Sequence, residues 1–224
     1  MIFVEIQDNI AFVQMDDAKL NVVNPAFIQG MNAALDEADA AKAKAVVLAG
    51  RGGVFSAGFD LREFSKGADA TRAQVLGGFD LLLRLMAHPR PTIAACTGHG
   101  IGMGAFLLMV CDYRVGAEGD FKFSMPESRI GLDLGAFLIA IAQSRITPKY
   151  LTRMAVLSEE LDIAQAREAG LLDETGAADT VVELAMAHAK TFAAMPAVFS
   201  KNKREIKATT LAHMRDALAD LKSA

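Results

Sequence analysis

Two glycine-rich turns, each placed shortly after an apolar stretch, constrain the fold of this chain more than any other feature. The first apolar stretch, Lys44–Ala49, is followed by a glycine pair and then by the segment Ser56–Asp60. The second, Thr92–Cys96, is followed by glycines at alternate positions over Gly98–Gly104. A near-continuous apolar strand is typical of a parallel sheet with both faces covered. The pattern therefore predicts an α/β fold in which the two turns converge on one crevice.

Such turns place free backbone N–H groups at the start of a helix, where the helix dipole concentrates partial positive charge. Two turns aimed at one point predict a site for an oxygen that acquires negative charge, as in an oxyanion hole. From spacing alone, ordinary strand–helix connections with glycine serving only packing are an equally good interpretation. The alternate glycines lack the G-x-G-x-x-G spacing of a dinucleotide site, and no Gly-Lys-Ser/Thr ending indicates a phosphate-binding loop.

The remaining patterns divide the chain into an α/β core, residues 1–145, and a helical C-terminal region, residues 146–224. The core opens with a predicted β-hairpin and alternates helices with strands, whereas nearly everything after about Asp133 has helical spacing. The predicted strands are Met1–Gln7, Ile10–Met15, Lys44–Ala49, Val54–Phe55, Thr92–Cys96, Asp112–Ala117 and Phe121–Phe123. The predicted helices are Pro25–Ala41, Thr71–Ala87, Ala105–Cys111, Leu134–Arg145, one from Pro148, Asp162–Ala169, Asp179–Ala194 and Pro196–Leu221.

Composition excludes several classes of protein. The net charge is −4, and the 23 basic residues are scattered along the chain, which argues against a nucleic-acid partner. The longest apolar run, Ile101–Cys111, is far below the about 18 residues of a membrane span. Two cysteines in apolar stretches and four scattered histidines predict buried free thiols and no metal site. With no secretory signal visible, we expect a cytoplasmic protein without a membrane partner.

Three segments together carry a family resemblance. Lys44–Phe64, Pro91–Arg114 and Phe121–Gly131 resemble the enoyl-CoA hydratase/isomerase, or crotonase, family in sequence, order and spacing, and Ala164–Glu174 resembles its later helix–Gly-Leu–strand element. The resemblance implies a crotonase-like ββα superhelix core and an acyl-CoA substrate. No cofactor is implied beyond the coenzyme A thioester that is the substrate, and relatives form trimers or hexamers.

The resemblance also implies roles for residues of both turns. The backbone N–H groups of Phe59 and Met103 correspond to the two oxyanion donors. The remaining positions that correspond to contacts with the acyl chain or coenzyme A are Lys19, Ser56, Ala57, Asp60, Leu61, Gly102 and Phe106.

The acid–base residues decide which reaction is expected. Hydratases that resemble this chain use two glutamates, and Phe106 stands at the first of these positions while Glu127 stands at the second. A single carboxylate beside an oxyanion hole is the arrangement of the family's enoyl-CoA isomerases, so Glu127 is the expected base. A hydratase or thioester hydrolase that uses Asp133 or a pocket water is the alternative, and a non-catalytic acyl-CoA-binding subunit is a third interpretation.

Each candidate also has a simpler interpretation. From sequence alone, Glu127 is a solvated loop glutamate, Asp133 an N-cap for the following helix, and His99 a loop histidine that lines a pocket or bonds the main chain. The chain is short for the family, which leaves closure of the acyl pocket in question. Apolar residues on the late helices are expected in subunit contacts or in the core: Ile206, Leu211, Met214, Leu218 and Leu221.

Overall fold

The computed structural model describes residues 1–223 as a mixed α/β fold with two sheets. The strands are β1 (Ile2–Gln7), β2 (Ile10–Met15), β3 (Ala45–Ala49), β4 (Gly53–Ser56), β5 (Thr92–Cys96), β6 (Gly98–Ile101), β7 (Tyr113–Ala117), β8 (Phe123–Ser124) and β9 (Glu174–Gly176). The helices are α1 (Pro25–Ala40), α2 (Leu61–Phe64), α3 (Ala68–Ala87), α4 (Met103–Val110), α5 (Gly135–Arg145), α6 (Pro148–Ala155), α7 (Ile163–Glu168), α8 (Val181–Ala193), α9 (Val198–Ile206) and α10 (Ala208–Ser223). A 3₁₀ turn spans Glu127–Ile130.

The larger sheet has the order β1-β2-β3-β5-β7-β9, in which only the β1–β2 pair is antiparallel. All five residues of β3 are buried, as the apolar run predicted. Because successive side chains on a strand point to opposite faces, Val47 packs in one apolar cluster with α8, while Val46 and Leu48 belong to a second cluster with α1, α3 and α4. Helices therefore cover both faces of the sheet.

The smaller sheet, β4-β6-β8, corrects one prediction about the glycine-rich segments. The segment Gly98–Ile101 was predicted as part of a turn, but it is a strand that pairs in parallel with β4 on one side and β8 on the other. Its ladder includes bonds from Gly100 N to the carbonyl of Lys122 (3.1 Å) and from Gly102 N to the carbonyl of Ser124 (2.8 Å). Backbone hydrogen bonds to the two neighbouring strands stabilise β6. Because glycine has a low strand propensity, the sequence alone did not predict this strand.

A side-chain cap fixes the start of three helices, α1, α2 and α7, and the largest differences from prediction are at α3 and after Pro196. The Asn24 side chain accepts a hydrogen bond from Phe27 N (2.9 Å), and Pro25 opens α1 as predicted. The helix predicted from Thr71 already begins at Ala68. The stretch predicted as one helix after Pro196 is two helices, α9 and α10, which meet at Lys207.

The C-terminal region packs directly on the α/β core. Helix α10 contacts α3 and α5, and its Leu211, Met214 and Leu218 are buried core residues. The two remaining apolar candidates of this region, Ile206 and Leu221, are exposed. Strand β9 interrupts the helical region and joins the edge of the larger sheet, as the family resemblance implied. No helix within residues 1–223 combines the length and apolar character needed to cross a bilayer.

Candidate active site

A cavity of about 370 Å³ lies where the segment after β4, the N-terminus of α4 and the 3₁₀ turn come together. It brings seven of the predicted site residues to one surface: Ala57, Phe59, Leu61, Gly102, Met103, Glu127 and Asp133. Its other walls are mainly apolar residues of α2, α3, α5, β6, the 3₁₀ turn and the loop after it. The convergence of the two glycine-containing segments on one crevice, expected from the sequence, is therefore present.

The two segments touch because residue 58 is glycine. Gly58 has a φ of +91°, and an ideal Cβ built on it would lie 2.9 Å from the carbonyl oxygen of Ile101 and 3.2 Å from Met103 N. The N–H groups of Phe59 and Met103 donate to no other group within residues 1–223. The Met103 amide is also the first of α4, where the helix dipole adds partial positive charge. Two free donors thus belong to residues on the cavity wall.

Glu127 begins the 3₁₀ turn and supplies a half-buried carboxylate to the same cavity. Its Oε1 lies 3.4 Å from an ideal Cβ on Gly102, directly beside the second glycine-containing segment. Its Oε2 is completely buried and has no hydrogen-bond partner within residues 1–223. Burial raises the pKa of this carboxyl group, and a hydrogen bond from the residue's own N–H opposes the rise only partly. The solvated loop glutamate suggested by the sequence alone does not describe this side chain.

Asp133 lines the cavity from its exposed rim, and it lies one residue before the N-cap of α5, Leu134, so the N-cap position predicted for it is wrong by one residue. Its Oδ1 accepts a hydrogen bond from Gly135 N (3.0 Å), the first residue of α5. The carboxylate is exposed to solvent, in contrast to that of Glu127. The two carboxylates of the cavity therefore differ in environment, one desolvated and the other solvated.

Two predicted contact residues of the first segment instead hold that segment in place. Ser56 is completely buried, and its hydroxyl donates to the carbonyl oxygen of Asn21 (2.7 Å). Asp60 caps α2 by accepting from Arg62 N (3.0 Å) and also binds the Arg62 guanidinium through both carboxylate oxygens (2.9 and 2.8 Å). The hydrogen bond from Arg62 lowers the pKa of Asp60. Neither side chain lines the cavity.

Phe106 and Lys19 also lie off the cavity surface. All eight residues of α4 are buried, and the Phe106 ring is completely enclosed in the apolar core. The expectation that this ring lines the substrate pocket is therefore corrected. Lys19 is exposed on the loop before Asn21, and its main-chain oxygen accepts from Arg51 Nη1 (2.9 Å).

The apolar walls of the cavity were not identified from the sequence. Those on α3 and α5 have the spacing of any core-facing helix residue, so no separate signal distinguished them from the core. The apolar wall residues are Phe64, Val75, Phe79, Ile101, Ile130, Leu132 and Leu138. Cys96 and Cys111 are the buried free thiols that were predicted, and burial raises their pKa values to about 12 and about 11. His99 Nδ1 accepts from Lys122 N (3.0 Å), which ties β6 to the segment before β8.

Comparison with known proteins agrees with this geometry. The enoyl-CoA hydratase/isomerase family model matches residues 5–222. A probable enoyl-CoA hydratase of Bacillus subtilis is 29% identical over 194 residues, which cover 82% of this chain and 72% of that protein.

Solved structures are similar over almost the whole chain. A Mycobacterium tuberculosis protein, named an enoyl-CoA isomerase for one solved structure and a probable enoyl-CoA hydratase for another, superposes with a TM-score of 0.95 at 33% identity, covering 99% of this chain and 97% and 94% of those chains. An enoyl-CoA hydratase of Mycobacterium marinum gives the same TM-score and identity, covering 99% and 98%. Both reaction types thus occur among the names of similar proteins. The family match over residues 5–222, together with these superpositions, shows that the chain has the crotonase fold and belongs to the enoyl-CoA hydratase/isomerase family.

Proposed function

We propose that the protein isomerises 3-enoyl-CoA thioesters to 2-enoyl-CoA thioesters, with Glu127 as the only base. The observation that carries this proposal is the Glu127 carboxylate, which is half-buried, has one unpaired oxygen, and lines the same cavity as Phe59 and Met103, two residues whose backbone N–H groups are free. At the position where related hydratases have their first glutamate, this chain has the core residue Phe106. A single desolvated carboxylate suits a reaction in which one group both takes and returns a proton.

The proposed reaction needs only proton transfer. The thioester oxygen accepts hydrogen bonds from the N–H groups of Phe59 and Met103. Glu127 removes a proton from C2, and the electron pair moves through C1 to the oxygen to form a dienolate. The same carboxyl group then returns the proton to C4, the double bond forms between C2 and C3, and no atom is gained or lost. In serine proteases, one comparable hydrogen-bond donor stabilises the transition state by about 3–4 kcal/mol.

The surroundings of Glu127 favour this shuttle over attack by water. Burial raises the pKa of the carboxyl group toward the pH at which it can both accept and donate a proton. The Met103 side chain is almost completely buried, and the adjacent cavity walls are mainly apolar. Excluding water from the reacting carbons disfavours hydration of the product.

A second candidate reaction is hydration of 2-enoyl-CoA, or thioester hydrolysis, with Asp133 as the second acid. The observation in its favour is that Asp133 lines the same cavity as Glu127. Against it, the Asp133 carboxylate is exposed and is already engaged with Gly135 N. A non-catalytic acyl-CoA-binding subunit is the third candidate, since a fold of this kind can keep its binding cavity without turnover.

Product analysis separates the three candidates. Purified protein is incubated separately with 3-enoyl-CoA and with 2-enoyl-CoA, and the products are resolved by chromatography. Interconversion without hydroxyacyl-CoA or free acid supports isomerisation. Hydroxyacyl-CoA or free acid that disappears in Asp133→Asn supports the second candidate. Acyl-CoA binding without any turnover supports the third.

We also propose coenzyme A contacts and self-association for this chain. Ala57 and Leu61 lie at the mouth of the cavity on the segment that the family uses for coenzyme A, and Lys19 lies on the loop whose Leu20 carbonyl accepts from Ala57 N (3.0 Å).

Ile206 on α9 is 84% exposed, an unusual environment for a large apolar side chain. In a homotrimer or hexamer, Ile206 would be buried between subunits. Sedimentation velocity, which measures the oligomeric state, tests this proposal.

A further inference from the structure

We infer that Gly78 of α3 sets the width of the acyl cavity, because the absence of a side chain there lets two wall residues pack against the helix. An ideal Cβ on Gly78 would lie 2.7 Å from both Cε1 and Cζ of Phe59 and 3.1 Å from Cε of Met103. Both neighbours line the cavity. Gly78 itself is buried and lies just outside the cavity surface.

The Phe59 ring also packs against the ring of Phe64, with centroids 6.0 Å apart and an interplanar angle of 48°. A methyl group at residue 78 is therefore expected to push the end of the Phe59 ring and the Met103 methyl group toward the open space of the cavity. The main-chain amides of these residues are farther from the clash than their side-chain ends, since all three close atoms are side-chain atoms.

This inference rests on the proposed function, since it places the acyl chain of the substrate in this cavity. Side chains pushed into the cavity reduce its volume, and a smaller volume disfavours a long acyl chain more than a short one because the long chain needs more of it. Even one methylene group too many in an apolar pocket changes substrate preference by roughly 10-fold to 200-fold. Gly78 is therefore a specificity-determining position whose effect is exerted through Phe59 and Met103.

The chain contains a matched control at the adjacent helix position. An ideal Cβ on Gly77 would lie 3.4 Å from the Cδ1 atom of Ile28, an ordinary van der Waals contact away from the cavity. Gly77→Ala and Gly78→Ala gain the same helix propensity. A difference between them therefore reports the contacts with Phe59 and Met103.

The test measures affinity for saturated thioesters by calorimetry, which requires no turnover. Hexanoyl-CoA and decanoyl-CoA are titrated into the wild type, Gly77→Ala, Gly78→Ala and the double variant Gly78→Ala/Phe59→Leu. We expect Gly78→Ala to weaken decanoyl-CoA binding roughly 10-fold more than hexanoyl-CoA binding. We expect Gly77→Ala to match the wild type, and the double variant to recover decanoyl-CoA affinity because the Phe59 ring is removed.

Several results would overturn the inference. A Gly78→Ala variant that weakens the binding of both ligands equally, or that leaves the decanoyl-CoA affinity unchanged, contradicts the inference. So does a double variant that fails to recover decanoyl-CoA affinity. Phe59→Leu alone keeps the inference testable if Gly78→Ala fails to fold, since the smaller side chain should improve decanoyl-CoA binding relative to hexanoyl-CoA. If Gly78→Ala shows this selectivity but the wild-type protein does not isomerise 3-enoyl-CoA, the proposed reaction alone is contradicted. Absence of acyl-CoA binding would contradict both.

Discussion

A carboxylate oxygen that is buried without a hydrogen-bond partner is costly to keep charged, and Glu127 carries one such oxygen. The unfavourable environment raises the pKa of the carboxyl group above the ordinary value of 4.5. A structural glutamate would be expected to have partners for both oxygens. In the proposed reaction, the same desolvation makes the carboxylate a stronger base.

The raised pKa of Glu127 predicts the pH dependence of activity. Only the deprotonated carboxylate can remove a proton from C2, so kcat/KM should increase with pH and reach a plateau above the range of an ordinary glutamate. We expect an apparent pKa above 4.5 for the acidic limb, measured from initial rates with 3-enoyl-CoA. An acidic limb centred at or below the ordinary value would contradict the role assigned to burial.

The same pKa predicts an effect on stability. Because the folded pKa is raised, the charged carboxylate destabilises the fold fully above the folded pKa, and this cost disappears below the unfolded pKa of about 4.5. Glu127→Gln should therefore raise the Tm relative to wild type near neutral pH, and the difference should shrink as the pH falls. Thermal unfolding followed by circular dichroism at several pH values measures this trend. A difference that is independent of pH would exclude desolvation of the carboxylate as its cause.

At the scale of elements, the site depends on how closely two segments approach. The C-terminal end of β4 leads to Phe59, and β6 leads to Met103, so the pairing of β4 with β6 brings Gly58, the neighbour of Phe59, against Met103 N. This pairing was not predicted, because four residues of Gly-His-Gly-Ile have no apolar periodicity that identifies a strand. The buried strands β3 and β5 and the apolar helix α4 were predictable, since their runs of apolar residues are continuous.

Gly58→Ala tests the close approach of the two segments. The new Cβ would lie 2.9 Å from the Ile101 carbonyl oxygen and 3.2 Å from Met103 N, and a φ of +91° is also unfavourable for alanine. We expect the segments to separate and kcat to fall by roughly 100-fold, the cost of losing one oxyanion donor. Steady-state kinetics with 3-enoyl-CoA measures the change, and circular dichroism checks the fold. A folded variant with near-native kcat would show that the approach is not needed.

The family resemblance correctly placed Phe59, Met103 and Glu127 on one cavity, but it also assigned Ser56 and Phe106 to a pocket that they do not line. Phe59, Met103 and Glu127 lie on one cavity because the turns that carry them match the family's spacing. Ser56 and Phe106 match the same motifs, but their side chains point into the protein, away from the cavity surface. Spacing along a chain specifies where the backbone passes, whereas the direction of a side chain depends on its packing.

At the scale of the molecule, a buried ionic cluster joins the C-terminal helices to the sheet. Asp112, at the start of β7, binds Lys203 Nζ through one carboxylate oxygen (2.6 Å) and Lys207 Nζ through the other (2.7 Å). Burial alone would raise the pKa of Asp112, but the two ammonium groups outweigh it and the net shift is downward. This cluster holds α9 and the link to α10 against the core.

Asp112→Ala should destabilise the whole fold, because it leaves two buried ammonium groups without a counter-charge. The expected loss is about 3–5 kcal/mol of the free energy of unfolding, measured by urea denaturation. Asp80→Ala is the matched control, since Asp80 binds Lys222 of α10 in an ion pair that is about half exposed on both sides. Its expected cost is less than about 1 kcal/mol. Equal costs for the two variants would show that the buried cluster has no special role.

The most direct test of the account is the turnover of 3-enoyl-CoA by Glu127→Gln, measured together with its affinity for a saturated acyl-CoA. Glutamine keeps the shape of the side chain but cannot take up a proton, while the backbone donors remain in place. If Glu127 is the only base, kcat falls by roughly 100-fold to 10,000-fold and the acyl-CoA Kd stays within a few-fold of the wild-type value. A variant that binds acyl-CoA and isomerises 3-enoyl-CoA at a near-native rate would contradict this role of Glu127.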